Sequence, residues 1–197
     1  MYAGKYAKER ADQPAIIMAA SGESLTYAEF DERTNRLAHF LRQHGLGRLD
    51  HYAIFMENHL RYAEACGAGE RSGLYYTCIN SYLTAEELSY IINNSESQVI
   101  ITSTAKQGIV RQALADCPNI TLCLIVDGEG DGDMFGNYDE AIASMPTTPV
   151  ADECLGTSML YSSGTTGRPK GILRPLPEAL PDEKLAVHSF LFNLWQY

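Results

Sequence analysis

Short apolar runs and capped amphipathic segments alternate from Ala15 to Val126, and this alternation constrains the fold more than any other feature. Ala15 to Met18, Ala53 to Met56, Tyr75 to Ile79, Val99 to Thr102 and Thr121 to Val126 read as strands rich in β-formers. Between them lie helical patterns. Thr26-Tyr27-Ala28-Glu29 fits a capping box, in which the threonine oxygen accepts from the third helical N–H and the glutamate reaches back. Phe30, Leu37, Phe40 and Leu41 follow at helical spacing, and Gly45 suits the left-handed stop. Further helices are expected from about Arg61 to Arg71, from a second capping box at Thr84 to about Asn93, and from Lys106 to Ala115. Apolar strands separated by helices of this length imply βαβ units. The predicted class is α/β, a mostly parallel sheet flanked by helices, without internal repeat or low-complexity tract.

Composition limits the partners. The 197 residues hold 15 Lys+Arg against 25 Asp+Glu, a net charge of −10, so no nucleic acid gripped through a broad basic face is expected. No stretch approaches the roughly 20 apolar residues of an integral membrane span, and the run from Ala15 to Ala20 is shorter than a signal-peptide core. Cys66, Cys78, Cys117, Cys123 and Cys154 form no C-x-x-C pair, which reads as reduced, mostly buried thiols in a cytoplasmic protein. On that reading the sequons at Asn93 and Asn119 are chance matches. His39, His44, His51, His59 and His188 lack partner spacing and are expected at the surface or satisfied in the core, while Tyr75, Tyr76 and Tyr82 are expected in sheet packing.

Two segments break the rhythm. Asp127 to Asp133 places carboxylates at alternate positions with glycine sixth, as a calcium loop does, but its twelfth position is Tyr138 rather than a bidentate Glu. A solvated acidic loop is expected there. The second break follows a strand candidate at Thr157 to Tyr161. Ser162-Ser163-Gly164-Thr165-Thr166-Gly167-Arg168-Pro169-Lys170-Gly171 packs three glycines, four hydroxyls and two cations into ten residues. Glycines let backbone N–H groups approach a ligand, hydroxyls add neutral donors, and the cations supply positive charge in an acidic chain. Such a set suits a multi-oxygen anion, above all a polyphosphate. It equally suits a tight polar hairpin with an incidental lysine, since these are turn residues. Counting from Gly164 and Gly167 puts Pro169 and Ile172 where Walker A requires glycine, no G-x-G-x-x-G follows a strand, and no G-x-S-x-G elbow exists.

Tyr161 to Ile172, YSSGTTGRPKGI, resembles the phosphate-loop signature of the adenylate-forming superfamily of acyl-CoA synthetases, amino-acid-activating domains and luciferases. Ser24 to Phe30 resembles that family's early L-T-Y-x-E-L segment. Gly73 to Leu88 resembles its G-x-x-Y-x-P-x-N stretch with the following L-T-A-E-E-L, although Cys78 stands where proline is frequent. Gly171 to Pro177 looks more like bacterial fatty-acyl or aryl-acyl CoA ligases than amino-acid activators.

The resemblance implies ATP-dependent activation of a carboxylic acid to acyl-AMP, followed by thioester formation with coenzyme A. Ser162, Ser163, Gly164, Thr165, Thr166, Gly167 and Lys170 would handle ATP phosphates. The Mg2+ ligand, a Y-G-x-T-E segment, a ribose-binding aspartate and a catalytic lysine would lie outside this chain. Residues 1–197 are therefore expected to be an N-terminal fragment of an AMP-binding domain, with the phosphate loop at 161–172, catalytically incomplete alone. No catalytic residue is assigned within it. The apolar stretch Leu185 to Tyr197 would leave a face for self-association into a homo-oligomer. Two other classes stay open: a noncatalytic nucleotide- or phosphate-binding module, and an interaction fragment with an idle loop.

Overall fold

The computed structural model describes residues 2–162, 167–183 and 194. The expected apolar helix at Leu185 to Tyr197 lies, except for Leu194, outside these residues. Helix α1 (Ala3–Glu9) precedes a small antiparallel ribbon of β1 (Pro14–Ile17) and β2 (Ser24–Thr26). Next come α2 (Tyr27–Gln43), β3 (His51–Phe55), α3 (Leu60–Ser72), β4 (Tyr75–Cys78), α4 (Ala85–Asn94) and β5 (Val99–Thr102). A 3-10 turn at Thr104–Lys106 leads into α5 (Gln107–Leu114), then β6 (Leu122–Ile125), β7 (Phe135–Asn137) and α6 (Tyr138–Ala143). The chain continues through β8 (Thr157–Ser158), β9 (Leu160–Ser162) and β10 (Lys170–Ile172). Both capping boxes form: Thr26 caps α2 with Glu29, and Thr84 caps α4 with Glu87.

The main sheet runs β7-β6-β5-β3-β4-β8, with every described pair parallel. Successive side chains point to opposite faces, so both faces must be covered. Tyr52, Ile54, Ile101 and Leu124 pack on one side with Leu37, Leu41, Ala65, Ala68 and Ile142, from α2, α3 and α6. Ala53, Phe55, Ile100 and Ile125 pack on the other with Leu88, Ile92, Val110 and Leu114, from α4 and α5. The chain changes face when it reverses direction along the sheet, from β3 to β4 and then back to β5, as right-handed crossovers require.

The structure corrects several expectations. The strand expected over Thr157 to Tyr161 is two strands: β8 extends the main sheet beside β4, whereas β9, among the described residues, pairs with β10 alone. Tyr75 and Tyr76 are buried, but Tyr82 is 91% exposed, with the Lys106 ammonium 5.6 Å from its ring centre. Cys117 and Cys123 are buried as expected; Cys66 and Cys154 are only half-buried, and Cys78 is exposed. His51 is stacked on Tyr75, but its buried Nδ1 has no hydrogen-bond partner, and burial lowers its pKa. His59 caps α3 by accepting from the Arg61 N–H, and His188 lies outside the described residues. In the acidic loop, Asp131 Oδ1 accepts from the N–H groups of Asp133, Met134 and Phe135 at 2.9–3.1 Å, while Oδ2 meets Arg111 at 2.5 Å. That carboxylate organises its own turn.

The approach to β8 is fixed by one residue. A Cβ on Gly156 would collide with the Gly69 carbonyl and lie 2.5 Å from the Leu74 oxygen, both backbone atoms that cannot rotate away. Its N–H donates to Glu70 O at 2.9 Å. Gly156→Ala should destabilise the chain by about 2–3 kcal/mol in urea unfolding; a loss under about 0.5 kcal/mol, the range of neutral surface changes, would contradict this packing.

Candidate functional site

The glycine, threonine and lysine segment is the connection of a β-hairpin. Leu160 pairs with Ile172, Tyr161 with Gly171, and Ser162 with Lys170. The antiparallel register therefore places two of the expected site residues, Ser162 and Lys170, directly opposite each other at the base of the loop. Directly opposed side chains share a face, with Cβ atoms about 5 Å apart. Gly167 has φ of +91°, a conformation in which a side chain would be strained. Ser163, Gly164, Thr165 and Thr166 lie outside the described residues. Ser162, Gly167 and Lys170 are all solvent-exposed.

The hairpin is seated on α4. The Tyr161 hydroxyl donates to Asn94 Oδ1 at 2.7 Å, and the Tyr90 hydroxyl donates to the Pro169 carbonyl at 3.0 Å. The Arg168 guanidinium sits 5.1 Å from the centre of the Tyr90 ring, within cation–π range. Burial pushes the Tyr161 phenol up to about 12, so it remains a neutral donor near pH 7. At Gly171 a Cβ would come within 2.5 Å of Met159 Cε, the mobile end of that side chain, and 3.2 Å of both Asn94 Oδ1 and the Tyr161 ring, so the hairpin lies close against these groups. Neither Tyr90 nor Asn94 belongs to the loop motif. Their i, i+4 spacing on one helix is the sequence signal that could have paired them.

A groove of about 850 Å³ runs between α4 and the loop, bounded by Glu86, Glu87, Asn93 and Arg168 among others. Its carboxylates make it a poor anion pocket. Groups suited to an anion lie on the hairpin itself: the Lys170 ammonium, the Ser162 hydroxyl and the Gly167 N–H. Among the described residues, Lys170 has no ion-pair partner, whereas Arg168 is engaged with Tyr90. No group of three or more His, Cys, Asp or Glu side chains among the described residues could hold a metal ion. No helix among them is long and apolar enough to cross a membrane.

Elsewhere the buried charges tie helices together. Glu64, fully buried, accepts from Arg33 and Arg61 at 2.8 Å and from the Tyr138 hydroxyl at 3.3 Å. Arg71, 2% exposed, donates to Asp31 at 2.8 Å, Thr34 at 2.7 Å and Glu153 at 3.1 Å. These ions have paired partners and lie away from the hairpin.

Residues 4–178 match the sequence family described as AMP-binding enzyme. The chain is 31% identical over 164 residues to the 3-oxocholest-4-en-26-oate–CoA ligase of Rhodococcus rhodochrous, covering 80% of this chain and 30% of that protein. It is 33% identical over 165 residues to the mitochondrial acetyl-coenzyme A synthetase 2-like protein of Homo sapiens, covering 76% and 24%. The chain thus spans less than a third of the length of these relatives. Its fold matches that of the anthranilate CoA ligase AuaEII, crystallised with anthranoyl-AMP, with a TM-score of 0.77, 20% identity, and coverage of 87% of this chain and 33% of that one.

If the tyrosine contacts hold the hairpin, Tyr161→Phe should remove about 1 kcal/mol of local stability. Amide exchange at residues 170–172 should then accelerate about fivefold. Unchanged exchange would show that the hairpin is held by other means.

Proposed function

The chain belongs to the AMP-binding enzyme family, and from that premise we propose that it contributes the phosphate-handling part of an acid–thiol ligase. In this reading a carboxylic acid, fatty or aryl, attacks the α-phosphorus of ATP to give acyl-AMP and pyrophosphate. The thiol of coenzyme A then displaces AMP. Adenylation is needed because a carboxylate is a poor electrophile, whereas a mixed anhydride carries a good leaving group.

The observation that carries this proposal is the exposed Lys170 opposite Ser162, at the base of a glycine- and threonine-rich loop fastened to α4. Ser162, Ser163, Thr165 and Thr166 would donate to phosphate oxygens, Gly164 and Gly167 would let backbone N–H groups approach them, and Lys170 would balance charge on departing pyrophosphate. Mg2+ would accompany the triphosphate, with its protein ligand outside these residues. Catalysis of this kind is chiefly positioning and electrostatic stabilisation.

Similar identity to relatives named for a sterol acid and for acetate supports a further division. The shared stretch serves the common nucleotide chemistry, and the choice of acid is made elsewhere in the whole ligase. Cytoplasmic action fits free thiols and a soluble nucleotide substrate.

In the complete ligase that carries this stretch, Lys170→Ala should lower ATP–pyrophosphate exchange about 100-fold or more, equivalent to about 3 kcal/mol of transition-state stabilisation. Thermal unfolding should hardly change, because the side chain is exposed. Unchanged exchange would refute the role given to Lys170.

A further inference from the structure

Cys66 and Cys78 stand outside C-x-x-C spacing, yet the fold brings their sulfurs to 3.7 Å. Cys66 lies in α3, which packs over the sheet through Ala65 and Ala68, and Cys78 is the last residue of β4. Both sulfurs are free thiols. Their exposures differ: Cys78 meets solvent, while Cys66 is half-buried behind it. Tyr62, one helical turn before Cys66, is partly buried against the same core. An accessible sulfur thus lies in hydrogen-bond contact with a second, more sheltered thiol.

We propose that Cys66 and Cys78 form an oxidisable dithiol, in which Cys78 attacks a hydroperoxide and Cys66 resolves the product to a disulfide. The Cys78 thiolate attacks the terminal oxygen of the hydroperoxide, and the oxygen–oxygen bond breaks. A sulfur–oxygen bond forms, and the departing alkoxide takes a proton, leaving a sulfenic acid. The Cys66 sulfur then gives up its proton and attacks the sulfenic sulfur. The sulfur–sulfur bond forms as the sulfur–oxygen bond breaks, and water leaves. Two thiols and one hydroperoxide thus give one disulfide, one alcohol (water when the oxidant is hydrogen peroxide) and one water. The sulfurs must close from 3.7 Å to about 2.0 Å, a local movement at the exposed end of β4.

The surroundings separate the two roles. The hydrogen bond with Cys66 lowers the Cys78 thiol below the usual range, against burial and the Glu70 carboxylate, which act the other way. The hydrogen bond to Cys78, together with burial and Glu70, drives the Cys66 thiol far upward. Tyr52 and Tyr76, which also face the pair, stay neutral phenols because burial raises both. Burial pushes Cys117 to about 11 and Cys123 to about 12, so they serve as internal controls.

The test is peroxide treatment of the 197-residue chain, read by intact mass and non-reducing peptide mapping. A loss of two hydrogens, a linked Cys66–Cys78 peptide and reversal by dithiothreitol are expected. Iodoacetamide at pH 7 should label Cys78 about tenfold or more faster than Cys117 or Cys123. With Cys66→Ser, dimedone should trap a sulfenic acid at Cys78; with Cys78→Ser, neither adduct nor disulfide should form. Circular dichroism checks that both variants fold. If either does not, the wild-type linkage map and labelling rates decide alone. Oxidation first at another cysteine, a different linkage, or no disulfide would overturn the proposal. None of these readouts depends on ligase activity.

Discussion

A parallel sheet with two apolar faces must be roofed on both, and the rest of this structure follows from that requirement. Tyr52 and Ile54 face one layer of helices while Ala53 and Phe55 face the other, so a single strand commits the chain to three layers. The second layer brings α4 into place, with Leu88, Ile91 and Ile92 buried against the sheet. Its polar side is then available to Tyr161, Pro169 and Arg168, and the hairpin is seated there. The position of the hairpin's described ends is thus inherited from sheet burial through one helix.

Buried ions secure the opposite layer. Glu64 and Arg71 both belong to α3, and their partners come from α2, α6 and the segments around Tyr2 and Glu153. Each is saturated by several groups, as a desolvated charge must be. Removing one partner would leave a charge uncompensated, so these networks fix how α2 lies on α3. Lys170 on the hairpin stays outside these networks, with no ion-pair partner among the described residues.

Much of this was legible from residue order because the signals were local. Capping boxes at Thr26 and Thr84 act within four residues, and the strands around Ala53, Ile100 and Leu124 announce themselves by continuous apolar character. α1, β2, β7 and α6 are too short to establish a period, and each depends on tertiary contacts such as Tyr138 packing under α2. A tight hairpin was one of the two readings open for this segment, but its register, Ser162 opposite Lys170, was not legible because glycine and proline suit both a turn and a ligand loop. The seat on Tyr90 and Asn94 was hidden because it joins residues about seventy positions apart. The Cys66–Cys78 contact has no spacing rule, since it arises from how far α3 runs before β4 begins.

The central claim is that the loop at 161–172 receives the phosphates of a nucleotide. The most direct measurement is an amide chemical-shift titration of the 197-residue chain with ATP and magnesium, following Ser162 to Gly171. Saturable shifts are expected to concentrate at Gly164, Thr165, Thr166 and Gly167 and at the Lys170 amide, with α2 and α3 unmoved. Saturable shifts confined to another part of the sheet edge, or no shifts at millimolar ATP, would contradict it.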